Sequence, residues 1–466
     1  MKESAIHDVV IVGGGASGTA LLYTLARYTS IARIALIEKY AVIGSVNSRA
    51  NNNSQTLHIG DIETNYSVEK VKDVAPAASM VAHYAASLPD DIRSKILFPT
   101  HKMVLAVGAE EVMKLDERFE KIRAVFPNLR KLNRADIEEM EPLVVKGRPS
   151  HKRIVALAQM GYAVDYQRLA QSFVDQTLAR TDAAGRVRIF LGSPVTDVAR
   201  DADGQWKVSR ANGETLRARV VVFDADAYSL LFAKRLGLGK EFSLIPVAGT
   251  FFFTKQVLKG KVYSVQEPRL PFSAIHGDPD VRVPGKTRWG PTARFFPVLE
   301  ARNWKTSLDY FAVSGLHRLR TWRSFAVILL DPLRFWYLVR NVLYEIPIVA
   351  PYFFALQARK IVPTLTGADF VRARGFGGMR LQRVNTNTHE LLLGEGKIIG
   401  DNIIFNMTPS PGASVCLYNA VRDMEHVLRF LGVPDAFDKV LLQKELCDPR
   451  DSLTLHDPSL ETSYAS

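Results

Sequence analysis

The sequence predicts an α/β protein in which a Rossmann-like dinucleotide-binding domain carries an inserted α+β domain. Three observations predict this fold class. A β-branched apolar run at 8–12 leads through a glycine-rich turn into a helical pattern at 17–29. A second apolar run at 33–38 completes a βαβ unit. Glycines and strands return at 375–415, before a last helix at roughly 412–431, so both ends of the chain are expected to build one domain.

The glycine-rich turn fits the dinucleotide-binding pattern G-x-G-x-x-G. Gly13 allows a tight turn, Gly15 lets the backbone approach a diphosphate, and Gly18 lets helix and strand pack closely. Glu38 ends the second strand 20 residues after Gly18, where a ribose-binding carboxylate belongs. The cofactor-binding candidates of this unit are Gly13, Gly14, Gly15, Ala16, Ser17, Gly18, Glu38 and Lys39.

The cofactor predicted for this turn is FAD rather than NAD. The site begins almost at the first residue, and no second G-x-G-x-x-G follows it. A pyridine-nucleotide-disulfide reductase needs two such sites and a redox cysteine pair, whereas this chain has Cys416 and Cys447 alone. A β-meander is predicted at 186–223 from alternating residues around Asp-Gly and Asn-Gly turns, and it is expected to bring Val195 near the adenine.

The order of the segments predicts a discontinuous domain organisation. The FAD-binding domain is expected to consist of 1–70, 150–240 and 375–435, and residues 436–466 are expected to form a C-terminal tail. A substrate domain is expected to consist of 71–149, whose first part to 140 reads as mainly helical, and of 241–374, which is strand-rich at 245–300.

Composition and charge exclude several classes of protein. With 47% hydrophobic and 23% charged residues, the chain as a whole is not disordered, collagenous or coiled coil. Two cysteines indicate a reducing compartment, and no Cys/His spacing predicts a metal site. No secretory leader and no run of about 18 apolar residues is present, so we expect a cytoplasmic protein without a transmembrane helix.

The net charge of +12 is concentrated in one aromatic segment. Residues 301–360 contain nine Lys and Arg against three acids, together with 12 of the 44 aromatic residues of the chain. Arginine beside tryptophan and short apolar runs suits helices that lie in a membrane interface, so the helical part, 315–360, is predicted to meet lipid or a partner. Core helices with snorkelling arginines are the alternative, and the absence of a nucleic-acid-binding module argues against nucleic acid.

Several motifs resemble those of the malate:quinone oxidoreductases, which lie within the glycine-oxidase and D-amino-acid-oxidase type of FAD proteins (the GR2 type). Residues 52–58 (NNSQTLH), followed by Glu63 and 65–66 (NY), look like the family's NNAGTGH…ELNY. Residues 271–278 (PFSAIHGD) are similar to SVPH-x-D, and 410–414 (SPGAS) match the family's SPGAS. The chain departs from the pattern at 224–226, where Asp-Ala-Asp replaces the usual Gly-Ala-Gly.

The resemblance implies an FAD-dependent dehydrogenase that oxidises malate, a 2-hydroxy acid, and passes electrons to quinone at the inner face of the cell membrane. The alternatives are an oxidase or dehydrogenase of another 2-hydroxy or amino acid, such as L-2-hydroxyglutarate, and a flavin-binding protein without catalysis.

Such an oxidation needs a base for the hydroxyl proton and cations for the carboxylates. His276 is the first candidate for the base and His58 the second, since an imidazole titrates near neutral pH. The candidate substrate-binding residues are Arg380, Gln382, Thr56 and Arg294. The candidates around the flavin are Asn53, Ser54, Gln55, Pro411, Gly412, Ala413 and Ser414, of which the last four are expected to begin the final helix.

Overall fold

A computed structural model describes residues 6–180, 185–267, 270, 275–392, 394–407 and 412–447. Within these ranges the strands are β1 (His7–Val12), β2 (Ile34–Ile37), β3 (Leu97–Val107), β4 (Arg130–Leu132), β5 (Ile154–Val164), β6 (Val187–Phe190), β7 (Val195–Arg200), β8 (Trp206–Arg210), β9 (Thr215–Phe223), β10 (Phe242–Ala248), β11 (Phe252–Lys255), β12 (Lys261–Ser264), β13 (His276–Pro279), β14 (Lys286–Gly290), β15 (Arg294–Phe295), β16 (Val371–Arg372), β17 (Met379–Asn385), β18 (Glu390–Leu392), β19 (Gly396–Gly400) and β20 (Ile403–Met407).

The helices of the same ranges are α1 (Ala16–Tyr28), α2 (Val68–Ala86), α3 (Asp90–Ile96), α4 (Ala109–Ile122), α5 (Arg134–Met140), α6 (Pro142–Val145), α7 (Tyr166–Leu178), α8 (Ala227–Arg235), α9 (Ser307–Ser314), α10 (Leu319–Leu329), α11 (Pro332–Leu343), α12 (Ala350–Ala358), α13 (Cys416–Leu431) and α14 (Lys439–Leu446). In the part of the chain that the structure describes, no helix is long and apolar enough to cross a membrane.

The first sheet is the Rossmann-like core that the two ends of the chain build together. Its order is β19-β20-β9-β1-β2-β6, and from β20 to β6 all neighbours are parallel. The strands β1 and β2 are apolar and almost wholly buried, as strands of a parallel sheet covered on both faces are. Helices α1, α7 and α13 contribute to the core on one face, while α8 and the antiparallel β7–β8 pair contribute to the core on the other.

Two further sheets make up the rest of the structure. One has eight strands in the order β16-β11-β14-β13-β12-β3-β5-β4, and the other has four strands in the order β15-β10-β17-β18. Helices α5, α6 and α12 pack on the eight-stranded sheet. Helices α10 and α11 pack on the four-stranded sheet through Phe325, Ile328 and Tyr337, so the helical segment predicted at 315–360 covers the sheet that contains β17.

The segment 68–140 is less helical than the sequence predicts. Its middle forms β3, which pairs with β5 along eleven residues, because a strand distant in sequence supplies the ladder hydrogen bonds. The helix α2 packs on α1 and α13 in the core of the first sheet. The domain boundaries stay a prediction, and this packing favours a first-domain boundary beyond residue 70.

The predicted C-terminal tail contains a docked helix. Helix α14 packs on α2 and α1, and Glu445 at its end forms an ion pair with Arg27. The hydroxyl of Tyr28 donates a hydrogen bond to the same carboxylate at 3.0 Å. The described part of the segment after 435 is therefore attached to the first sheet by both apolar packing and charge.

Candidate active site

A cleft of about 550 Å³ opens at the carboxyl ends of β1, β2 and β9. This is the edge at which parallel α/β sheets bind dinucleotides. The predicted residues that line it are Gly13, Gly14, Gly15, Ala16, Ser17, Glu38, Lys39, Asn53, Ser54, Thr56, His58, Val195, Arg380, Ala413 and Ser414. Most of the predicted site residues therefore line a single cleft, together with other residues that the sequence did not single out.

The glycine turn is shaped so that a ligand can lie against its backbone. A Cβ atom on Gly13, which has φ +123°, would lie 2.3 Å from the carbonyl oxygen of Asp224, and one on Gly18 would lie 2.0 Å from the carbonyl oxygen of Gly13. Gly18 thus allows the close packing of turn and helix and does not itself line the cleft. Helix α1 begins after Gly15 without a capping side chain on that residue, and this leaves room for a diphosphate at the helix N-terminus.

The adenosine end of the cleft contains the predicted acidic residue. The Glu38 carboxylate accepts hydrogen bonds from the backbone N–H groups of Gly14, at 2.6 Å, and Tyr40, at 2.8 Å. Burial raises the pKa of Glu38. The Nζ atom of Lys39 lies 4.2 Å from the centroid of the Tyr228 ring, and Val195 lines the same end of the cleft.

At the other end, the loop from Asn53 to His58 forms part of the wall. Asn53, Ser54, Thr56 and His58 line the cleft, whereas Gln55 does not. Gln55 has the left-handed φ of +52°, and its amide donates to the carbonyl oxygen of Ala50 at 2.9 Å. Gln55, which the sequence predicts as a cofactor contact, therefore has its side chain turned into the protein and away from the cleft.

Buried cations hold this loop from behind, a role that the sequence analysis did not predict for them. Arg288 donates to the carbonyl oxygen of Ser54 at 2.8 Å, and Lys261 donates to the same atom at 3.3 Å. Lys102 donates to the carbonyl oxygen of Leu57 at 3.1 Å. All three side chains are almost fully buried.

Each of these cations is paired with a buried carboxylate. Lys102 lies 2.6 Å from Asp61, and Lys261 lies 2.8 Å from Asp278. Arg288 lies 3.2 Å from Asp278. Burial acts to raise the pKa of Asp278, but Lys261 and Arg288 outweigh it and the pKa is lowered.

His58 lies in the cleft wall with both ring nitrogens engaged. Its Nδ1 atom hydrogen-bonds the buried carboxylate of Glu63, and its Nε2 atom lies 3.0 Å from the Ser54 hydroxyl. Burial acts to raise the pKa of Glu63, but the His58 ring and Lys102 outweigh it and the pKa is lowered. A charged carboxylate that holds one nitrogen fixes the ring and leaves the other nitrogen for proton transfer.

The segment of the SPGAS motif meets the same loop. The hydroxyl of Ser414 accepts a hydrogen bond from the backbone N–H of His58 at 3.0 Å and lies 2.8 Å from the Tyr166 hydroxyl. Gly412 is buried and does not line the cleft, and Pro411 lies outside the described residues. A 3₁₀ turn over Gly412–Val415 precedes α13, so the α-helix begins four residues later than predicted.

Arg380 is the cation in the cleft wall at this inner end. It lies on β17, near Tyr263 and Tyr337. Burial lowers the pKa of Arg380. The Tyr263 hydroxyl lies 2.9 Å from the Thr56 hydroxyl. Tyr263, near Arg380, is therefore in contact with the loop that contains His58.

His276 lies behind the wall of the cleft and does not line it. Its ring stacks on that of Tyr263 at 4.2 Å between centroids and is 3% exposed. Among the described residues neither ring nitrogen has a hydrogen-bond partner, and Nε2 lies 3.6 Å from Asp278. Burial lowers the pKa of His276 to about 3.

Two of the predicted substrate-binding residues are placed elsewhere. Arg294 forms an ion pair with Glu345 at 3.1 Å and packs over the Phe296 ring, so its guanidinium is occupied. Gln382 is buried on β17 and does not line the cleft. In the described ranges no group of three or more His, Cys, Asp and Glu is arranged to bind a metal ion.

The cleft fits an FAD molecule on its own geometry. Its glycine turn has no room for side chains, a carboxylate stands at the end of β2, and the cleft continues past the helix N-terminus to His58, Ser414 and Arg380. Among the described residues, the buried Oδ2 atom of Asp224 in the same cleft lacks a hydrogen-bond partner. The dinucleotide half and the flavin half of the cofactor therefore both have polar contacts available.

Comparisons with known proteins agree with this geometry. A family model described as FAD dependent oxidoreductase matches residues 8–382. The chain is 38% identical to a probable malate:quinone oxidoreductase of Campylobacter jejuni, over 93% of this chain and 97% of that one. It is 36% identical to a malate:quinone oxidoreductase of Helicobacter pylori, over 94% and 97%. The solved L-α-glycerophosphate oxidase of Mycoplasma pneumoniae, with FAD bound, shares the fold with a TM-score of 0.60 at 17% identity, over 91% and 95%.

Proposed function

The chain belongs to the FAD-dependent oxidoreductases and, within them, to the malate:quinone oxidoreductases, and we propose that it oxidises malate with the residues at the inner end of its cleft. The predicted fold, cofactor and enzyme class are confirmed by this membership. The observation that carries the proposal is that His58, fixed by Glu63, and Arg380 line the same cleft.

We assign the binding of one malate carboxylate to Arg380. A guanidinium can bind a carboxylate through two parallel hydrogen bonds, and burial strengthens such a pair. Arg294, the other arginine predicted for this role, is paired with Glu345. The adjacent hydroxyl groups of Thr56 and Tyr263 can orient the substrate hydroxyl, since either can donate or accept a hydrogen bond.

We assign the removal of the hydroxyl proton to His58. Glu63 accepts a hydrogen bond from Nδ1, so Nε2 is the nitrogen that can take a proton, and the Glu63 carboxylate stabilises the imidazolium that results. His276 is the weaker base of the two because its burial favours the neutral ring. Bound FAD supplies the chemistry that this chain lacks, namely acceptance of a hydride and transfer of the electrons to quinone.

The experiment that tests this proposal uses the FAD-loaded protein under anaerobic conditions. Absorbance near ~450 nm is followed after addition of L-malate, L-2-hydroxyglutarate or a D-amino acid, and a short-chain quinone is then added. We expect L-malate to bleach the flavin fastest and the quinone to restore the absorbance. Faster bleaching by another acid would identify that acid, rather than malate, as the substrate.

We also propose that the segment 315–360 docks on an anionic membrane. About half of the exposed large hydrophobic side chains of the described residues lie in this tenth of the chain, among them Leu319, Trp322, Trp336 and Ile348. Its cations outnumber its acids, which favours anionic lipid. Since α10 and α11 pack over the sheet that contains β17, docking there would bring a lipid-soluble quinone to the side of the molecule that contains Arg380.

Co-sedimentation with vesicles tests the docking surface. The double variant Trp322→Ala/Trp336→Ala is compared with Met160→Ala/Val440→Ala, which removes two hydrophobic side chains of similar exposure outside the segment. We expect the tryptophan variant alone to lose binding to vesicles with anionic lipid, and high salt to weaken the binding of the unchanged protein. Equal binding by both variants would contradict the proposal.

A further inference from the structure

The strand end that departs from the family's glycine pattern forms part of the cofactor cleft. Asp224 and Asp226 follow β9, and both line the cleft beside the glycine turn. A Cβ atom on Gly18 would lie 3.3 Å from the Cβ atom of Asp224. Two carboxyl groups therefore border the turn that receives the diphosphate, although a diphosphate is itself an anion.

Asp224 is fixed by a chain of polar residues that leaves one of its oxygens unpartnered. The amide of Asn406 donates to Oδ1 of Asp224 at 3.0 Å and to Asp423 at 2.6 Å, and Lys397 lies 2.6 Å from the other oxygen of Asp423. Among the described residues the buried Oδ2 atom of Asp224 has no hydrogen-bond partner. An unpartnered, solvent-shielded oxygen disfavours the charged form of this carboxyl group, because neither water nor a donor stabilises the charge.

Asp226 reaches the same region through the loop after β2. The amide of Asn47 donates to the Asp226 carboxyl group at 2.7 Å. Ser48, which follows Asn47 in the chain, accepts a hydrogen bond from the backbone N–H of Ala16, in the first turn of α1, at 2.9 Å. Asp226 has φ +51°, a left-handed conformation that any residue other than glycine or asparagine adopts at a cost, as expected for a side chain held in place for a function.

The charge of the cleft opposes ionisation of both groups once FAD is bound. Besides Asp224 and Asp226, the acids that line the cleft are Glu38, Glu300 and Asp309, against the cations Lys39, Arg235 and Arg380. The FAD diphosphate adds two negative charges to this set. Like charges at close range disfavour the ionised form of each carboxyl group.

We propose that Asp224 and Asp226 bind FAD as neutral carboxylic acids, so that the cofactor takes up protons from solvent as it enters the cleft. This role concerns FAD binding alone and stands whichever acid the enzyme oxidises.

The titration of the two groups sets the pH range of the effect. Burial and the neighbouring Asp423 raise the pKa of Asp224 to about 7, opposed by Asn406 and Lys397. Burial raises the pKa of Asp226 to about 6, opposed by the Asn47 amide. The Cys416 thiol also lies near Asp224, and burial raises its pKa to about 12, so it stays neutral throughout this range.

The direction of the effect follows from linkage. Below pH about 6 both carboxyl groups already carry a proton, and FAD binds with little proton uptake. Above pH about 7 both are ionised in the free protein, and each must regain its proton on binding. The dissociation constant of FAD is therefore expected to rise with pH by up to about tenfold per unit for each group that titrates.

Calorimetry of FAD binding to the apoprotein measures the protons directly. Titrations at pH 8 in HEPES and in Tris, which differ in ionisation enthalpy, give the number of protons taken up, and we expect about 1–2 in the unchanged protein and fewer than about 0.5 at pH 5.5. At pH 8, Asp224→Asn and Asp226→Asn are each expected to lower the number of protons taken up by the contribution of the carboxyl group that is removed. Each variant is also expected to flatten the pH dependence of FAD affinity.

Matched variants separate this role from a general charge effect. Asp309→Asn removes the same charge from the same cleft and is expected to leave the proton number unchanged. His58→Gln removes the other titratable side chain of the neighbouring loop that lines the cleft, and it is expected to leave the number of protons taken up unchanged. The proposal is overturned if the unchanged protein takes up fewer than about 0.3 protons at pH 8, or if Asp224→Asn and Asp226→Asn behave like Asp309→Asn. If Asp224→Asn fails to fold, the unchanged protein and Asp226→Asn, whose carboxyl group pairs with Asn47 alone among the contacts described, still decide the outcome.

Discussion

The Nδ1 atom of His58 hydrogen-bonds the carboxylate of Glu63 at the inner end of the cleft, five residues along the same loop. Glu63 also accepts a hydrogen bond from the backbone N–H of Gly60 at 2.9 Å, so the loop geometry and the orientation of the ring are fixed together. A histidine held in this way presents a defined tautomer to the cleft. The pairing gives Glu63 a part in proton transfer that its burial alone does not reveal.

Replacing Glu63 by Gln is expected to slow flavin reduction by L-malate by about 10²-fold, because the neutral amide no longer stabilises the imidazolium of His58. Stopped-flow absorbance at saturating malate measures the rate. The affinity for FAD serves as the control and is expected to stay within about twofold, since Glu63 does not line the cleft. An unchanged rate with intact FAD binding would remove Glu63 from the mechanism.

The two histidines are distinguished by separate substitutions. His58→Gln is expected to lower the rate constant of flavin reduction by about 10²–10³-fold, because it removes the proposed base. His276→Gln is expected to raise KM for malate more than it lowers that rate constant, because His276 lies close to Arg380 and, among the described residues, its ring nitrogens have no hydrogen-bond partner. The reverse pattern would assign the base to His276, as the sequence first suggests.

The FAD half of the site could be predicted from the sequence because its determinants are local. The turn at Gly13, the helix that follows it and Glu38 lie within one βαβ unit, where spacing along the chain fixes spacing in the structure. The substrate half could not, because it is assembled by long-range pairing. Arg294 is predicted to bind the substrate, yet it forms an ion pair with Glu345, which follows α11.

The buried cations behind the loop were beyond sequence reasoning for the same reason. Lys261 and Arg288 lie on β12 and β14, and only the pairing of both strands with β13 brings them to Asp278 and to the carbonyl oxygen of Ser54. A lysine within an apolar strand is a usable signal that a buried acid is nearby. It does not say which acid, since no local spacing connects them.

Replacing Arg380 by Gln is expected to raise KM for malate by about 10²-fold, because a buried charge-assisted pair with the substrate carboxylate is lost. Arg294→Gln is the matched control and is expected to leave KM within about threefold, since that guanidinium is paired with Glu345. Steady-state kinetics with a soluble quinone measure both variants. Equal increases in KM would show that neither arginine contacts the substrate directly.

Replacing Lys102 by Met is expected to lower the free energy of unfolding by about 3–5 kcal/mol, because Asp61 is left as an unpaired charge in the protein interior. The double variant Lys102→Met/Asp61→Leu, which removes both charges, is expected to regain a large part of the lost stability. The reason is that the desolvation penalty of the carboxylate disappears when Asp61 is replaced. Lys114→Met, which breaks the exposed pair with Glu110, is the matched control and is expected to leave the midpoint of urea unfolding unchanged.

Because Lys102 also donates to the carbonyl oxygen of Leu57, the double variant is expected to fold stably and yet to reduce its flavin more slowly, as the loop that holds His58 is less rigidly fixed. Full stability together with an unchanged rate of flavin reduction in the single variant would show that the buried pair neither stabilises the fold nor positions the loop.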